Sequence, residues 1–63
     1  MATNLKELRE KHGLTQQQVA DRVGFDRQTI YLAEKANKPS SLALAIELAD
    51  LYGLTVDELL GRG

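Results

Sequence analysis

Gly24 falls inside a run of apolar residues spaced three and four apart, and splits it into two pieces. Val19, Ala20 and Val23 stand before it; Ile30 and Ala33 follow. Spacing of this kind marks one buried face of a helix. A glycine enters the left-handed backbone region at little steric cost, so the chain can reverse there instead of continuing as one helix. Local capping chemistry agrees. Thr15-x-x-Gln18 is a capping box ahead of the first piece, and Asp26 is a good N-cap for the second. Counted from Gln16, alanine falls at the fifth position, glycine at the ninth and isoleucine at the fifteenth. The small Ala20 lets two helices cross closely, and Ile30 with Ala33 plugs the second onto the first. A turn this short sets the crossing at about 90–120°.

The same signals recur along the rest of the chain and predict five helices, over residues 5–12, 16–23, 27–35, 41–52 and 56–60. Asn4 caps the first and Gly13 stops it. Pro39 breaks the chain before Ser40 or Ser41 caps the fourth, which ends before Gly53. Thr55-x-x-Glu58 is a second capping box. No alternating run of β-branched residues predicts a strand. Helices this short do not persist alone in water, so their apolar stripes must meet. The expected core comprises Leu5 and Leu8; Leu14, Val19, Ala20 and Val23; Ile30 and Ala33; Leu42, Ala45, Ile46, Leu48 and Ala49; and Leu54, Val56, Leu59 and Leu60. The fold class is therefore all-α, a compact five-helix bundle, with residues 1–63 forming a single domain.

The chain of 63 residues contains no cysteine and one histidine, His12. Disulfides and thiolate metal sites are excluded, as is a multi-histidine site, so helix packing or self-association must supply the stability. Neither Ser40 nor Ser41 has a histidine or carboxylate near it in sequence to activate a hydroxyl. Asp57 and Glu58 read as dipole-matched residues opening the fifth helix. No catalytic residue, metal or cofactor is expected, and the chain reads as no enzyme. It holds no apolar run near the 18 or so residues of a membrane span and no signal-peptide pattern, so the expected location is cytoplasmic. Net charge is −1, but residues 1–38 carry seven Lys and Arg against five Asp and Glu, whereas residues 39–63 carry one arginine against four acids. A polyanion responds to the charge at the contact face, so this asymmetry permits a nucleic-acid partner.

The stretch "LTQQQVADRVGFDRQTIYLAEKANKPSSLALAIELADLYGLTVDELL", with "LREKHGLTQ" ahead of it, resembles the helix-turn-helix domain of the Cro- and phage-repressor-type (XRE) transcriptional regulators. The resemblance runs from Leu5 to Leu60 and is carried by the joint order of the Ala/Gly/Ile pattern, "RQTI", Glu34 and the closing "LYGLTVDELL". It implies that the third helix reads the major groove of double-stranded DNA, with base readers at Arg27, Gln28 and Leu32. The chemistry suits: arginine can pair with guanine O6 and N7, glutamine with adenine N6 and N7, and an exposed leucine can meet a thymine methyl. Gln16, at the start of the second helix, is expected to grip a backbone phosphate, with Gln17 next to it. Thr29, Tyr31, Lys35, Asn37, Lys38 and Ser41 are flanking or backbone candidates. Such contacts hold register, while base contacts specify sequence. The resemblance further implies a structural pairing of Arg9 with Glu34. Where the family usually has glycine after the third helix this chain has Ala36, so Asn37 is expected to take the left-handed cap.

Single helix-turn-helix units bind short sites weakly. A homodimer on a palindromic operator is expected, through Leu54, Val56, Leu59 and Leu60, and a repressor is the favoured role. The alternatives are completion of a monomer core by these same leucines, and a protein-interaction module or antitoxin that acts through a protein partner. No ligand-sensing domain is expected after Leu60, and control is expected from abundance, a partner or degradation.

Overall fold

The computed structural model describes residues 4–61. Helices α1 (Leu5–Lys11), α2 (Gln16–Val23), α3 (Arg27–Ala36), α4 (Leu42–Tyr52) and α5 (Val56–Leu59) follow in order, with no strand among the described residues. Every helix begins on a side-chain cap. Asn4, Thr15, Asp26, Ser41 and Thr55 each accept the backbone N–H three residues on. Each thereby satisfies one of the N–H groups that a helix start leaves unpaired. Both capping boxes are complete: Gln18 and Glu58 reach back to the backbone N–H of Thr15 and Thr55, each at 2.8 Å. Ser41, rather than Ser40, caps α4. The helices differ from the expected bounds by about one residue at several ends. At those ends a cap residue, such as His12 or Leu60, shares some helical hydrogen bonding.

Gly24 adopts φ +76° and closes α2, which packs most extensively against α3. Asn37 takes the left-handed position at the end of α3, with φ +53°. Its side-chain oxygen also accepts the N–H of Leu5 at 2.9 Å. One asparagine thus terminates α3 and caps part of α1, which fixes α1 against α3.

Leu5, Val19, Ala20, Val23, Ile30, Ala33, Leu44, Ala45, Leu48, Ala49, Tyr52 and Leu59 form one buried cluster. Leu8, Leu14, Phe25, Leu51, Leu54 and Val56 pack around it. The inward face of α4 differs from the expected one. Leu42 is 68% exposed and Ile46 is also exposed, whereas Leu44 is fully buried and Tyr52 joins the core. "LALAIELA" is apolar on nearly every side, so spacing alone gives two admissible phases. The chosen phase lets Leu44, Leu48 and Tyr52 face inward together. The C-terminal apolar residues largely follow the expected core. Leu59 is 3% exposed and faces the core, while Leu54 and Val56 pack against it. Leu60 is 36% exposed and alone of the four offers much surface. Arg62, the one cation of the C-terminal segment, lies outside the described residues.

Tyr52 meets the His12 ring with centroids 5.1 Å apart. Burial, reinforced by the Glu34 carboxylate, pushes the Tyr52 phenol up to about 12, with Arg9 acting against the shift. A phenol whose pKa is raised on folding contributes stability below its unfolded value of about 10, and that contribution is lost as pH climbs toward 12. In Tyr31→Phe, which leaves Tyr52 as the only tyrosine, phenolate absorbance should appear near pH 12 and denaturant midpoints should fall above pH 10. A phenol titrating near 10 with unchanged midpoints would show that Tyr52 is solvated.

Candidate nucleic-acid interface

The α2–Gly24–α3 unit turns one face of α3 inward through Ile30 and Ala33, which leaves the other face in solvent. Arg27 and Gln28 are exposed in its first turn. Neither side chain hydrogen-bonds to a described residue. Leu32, one turn further, is 49% exposed, and Tyr31 beside it is also exposed. Arginine, glutamine and leucine thus stand on the outer side of a rigidly packed helix, with their recognition groups uncommitted. Thr29 is half-buried, and its side chain and backbone N–H hold the Asp26 carboxyl below the usual carboxylate range. Its first role is therefore to strengthen the α3 cap.

Arg27 shares a shallow cleft with Thr15, Gln16 and Gln17 at the start of α2. The expected base reader and the expected phosphate contacts therefore adjoin, with the N-terminal N–H groups of α2 beside them. Gln17 is exposed and donates to Asp21 at 2.9 Å. On the opposite side of the outer face, Leu32, Lys35, Lys38 and Ser40 line a second groove. Lys35 and Lys38 are exposed, and so is Ser41, although its hydroxyl accepts the N–H of Leu44. The Asn37 side-chain oxygen is already engaged by Leu5, which favours a structural role.

Beneath this surface lies a polar network joining three helices. Arg9 donates from Nε to Glu34 Oε2 at 2.6 Å and from Nη2 to Oε1 at 3.2 Å. Its third arm, Nη1, reaches the carbonyl of Leu14 at 2.9 Å. The arginine and glutamate side chains are only 12% and 7% exposed. The hydrogen bond to Glu34 is the chief cause that raises the Arg9 pKa above its ordinary value, with burial opposing it. Gln16 donates its side-chain amide to the same Glu34 carboxylate at 3.1 Å. The carboxamide expected to meet a phosphate is thus oriented from behind, and Gln16→Ala would also remove a bond from Glu34.

Two features escaped sequence reasoning. The Gln16–Glu34 bond spans 18 residues and leaves no local trace. Lys6 lines a cleft with Gln16, Tyr31, Glu34 and Lys35. Its position three residues before Arg9 on α1 is the signal that would have found it, since residues at that spacing share a helix face.

The family model described as helix-turn-helix matches residues 5–59, nearly the whole described chain. The chain belongs to the Cro- and phage-repressor-type (XRE) helix-turn-helix family. Similar proteins carry matching names. An uncharacterized HTH-type transcriptional regulator of Archaeoglobus fulgidus is 37% identical, covering 94% of this chain and 84% of its own length. Another, from Methanothermobacter thermautotrophicus, is 45% identical over 84% of this chain and 77% of that protein. The HTH-type transcriptional regulator AnsR of Bacillus subtilis is 41% identical over 92% of this chain and half of its own length. No solved structure matches significantly. In this helix-turn-helix domain α2 and α3 form the motif, α1 is clamped behind it by Arg9 and Glu34, and α4 and α5 complete the core. No helix among the described residues is long and apolar enough to cross a membrane.

Proposed function

We propose that this helix-turn-helix protein is a sequence-specific regulator of transcription that reads double-stranded DNA through α3. The observation that carries the reading is the outer face of α3, where Arg27, Gln28 and Leu32 are exposed and the polar groups of the Arg27 and Gln28 side chains are unengaged. A helix of this motif lies in the major groove with its first residues nearest the base edges, which is where Arg27 and Gln28 stand. Arg27 reads guanine, Gln28 reads adenine, and Leu32 packs on a thymine methyl. Gln16, Gln17, Lys35, Lys38 and the start of α4 at Ser41 hold the sugar–phosphate backbone, with Tyr31 flanking. The relatives' names, all transcriptional regulators, support the same class of activity.

The protein works in the cytoplasm as a repressor, by occupying an operator as a homodimer. Leu60 and Leu42 line one groove with Ala45, and together with Ile46 they supply exposed apolar surface for a second copy. Two copies on half-sites one helical turn apart, about 34–36 Å, require a palindrome. Selection from random duplexes at about physiological salt should enrich a palindrome with that spacing. Enrichment of a single half-site would retain DNA recognition and remove the dimer. Enrichment of nothing by a folded protein would remove the DNA-reading assignment itself.

A further inference from the structure

Lys6 of α1, Gln16 of α2, and Tyr31, Glu34 and Lys35 of α3 line one cleft. The three helices meet there because the Glu34 carboxylate binds both Arg9 and Gln16. Lys6 and Lys35 are exposed, and neither has an ion-pair partner among the described residues. Two lysines on flexible stems at one cleft can swing their ammonium groups toward an anion placed between them. The cleft floor would oppose an anion if Glu34 were free. Its side chain is instead 7% exposed and its carboxylate is paired by two hydrogen bonds from Arg9, so it is already committed and forms no ion pair with either lysine. The Gln16 carboxamide, already directed by Glu34, lies in the same cleft.

We propose that Lys6 and Lys35 hold a single backbone phosphate between them, so that α1 is part of the DNA-binding face. This rests on the DNA-binding reading above. The Arg9–Glu34 pair then has a second consequence besides stability: it sets α1 against α3 so that both lysines reach the same phosphate. An ammonium can serve this purpose as a point charge on a flexible stem, with no fixed fork geometry required.

The test compares wild type, Lys6→Ala, Lys35→Ala, the double variant and a control, Lys11→Ala, for binding to the selected operator and to a random duplex across a salt series. Lys11 is exposed at the other end of α1 and removes the same net charge. Each cleft variant should weaken binding several-fold more than the control does, and equally on both duplexes. The double variant should lower the slope of log affinity against log salt by about 0.9, the value for one phosphate. Lys6→Ala indistinguishable from Lys11→Ala overturns the proposal. So does a slope change of about 1.8 in the double variant, the mark of two separate phosphates. If wild type binds neither duplex, both this proposal and its parent reading fail; wild-type binding with an inert Lys6 removes this proposal alone. All the substituted side chains are exposed, and circular dichroism should show unchanged helix content.

Discussion

Glu34→Ala should leave this domain largely unfolded at 37 °C. The substitution strands Arg9, 12% exposed, with two donors that had faced the carboxylate. It also deprives Gln16 of its acceptor. Breaking a buried pair by removing one partner costs about 3–5 kcal/mol, because the remaining charge is left without compensation. A single core in a domain below about 70–80 residues rarely supplies more than about 3–5 kcal/mol in total. The loss therefore matches the whole stability of the fold. Urea denaturation followed by circular dichroism should show little or no folded baseline at 37 °C. Replacing both partners at once, as in Arg9→Met with Glu34→Leu, should cost much less than either alone, since no charge is then stranded. A loss below about 1 kcal/mol for Glu34→Ala would place the pair among ordinary surface ion pairs.

In the monomer, at protein concentrations too low for self-association, Leu44→Ala should cost about 2–5 kcal/mol, and Leu42→Ala should stay within about 0.5 kcal/mol. The two residues lie two positions apart on one helix, but Leu44 is fully buried and Leu42 is 68% exposed. Removing the Leu44 side chain loses transfer free energy and opens a cavity against Leu48, Tyr52 and the rest of the cluster. In a domain of this size each kcal/mol shifts the melting temperature by about 4–8 °C, so the Leu44 variant should melt about 8 °C lower or more. Equal losses at both positions, or a larger loss at Leu42, would contradict the phase assigned to α4.

These two cases mark where the sequence was legible. Helix starts were readable because a cap and its N–H partner lie three residues apart, as at Thr15 and Gln18 or Thr55 and Glu58. The reversal at Gly24 was readable because glycine enters the left-handed region at little cost, and it does so at φ +76°. Asn37 as the left-handed stop followed from the alanine at position 36, where glycine is usual in the family. The inward face of α4 was not readable, because a helix apolar on almost all sides carries no phase of its own. Only the packing of α5 and α2 against it chooses between Leu42 and Leu44. Links across long sequence separations were equally hidden. Asn37 to Leu5 and Gln16 to Glu34 depend on how α1, α2 and α3 are set in space, and each engages a side chain that the sequence offered as a DNA contact. The exposure of Arg27 and Gln28 at the start of α3 was legible, because the inward positions of Ile30 and Ala33 determine it.

The most direct test of α3 as the reading helix is the affinity of an Arg27→Ala/Gln28→Ala variant, compared with wild type on the selected operator and on random duplex. Both side chains are exposed, so the variant should fold with unchanged helix content. Each bidentate base contact contributes about 1–3 kcal/mol of discrimination. The variant should lose at least about tenfold on the operator and little on random DNA, so that the two affinities converge. Equal losses on both duplexes would reduce Arg27 and Gln28 to phosphate or surface residues and contradict the reading.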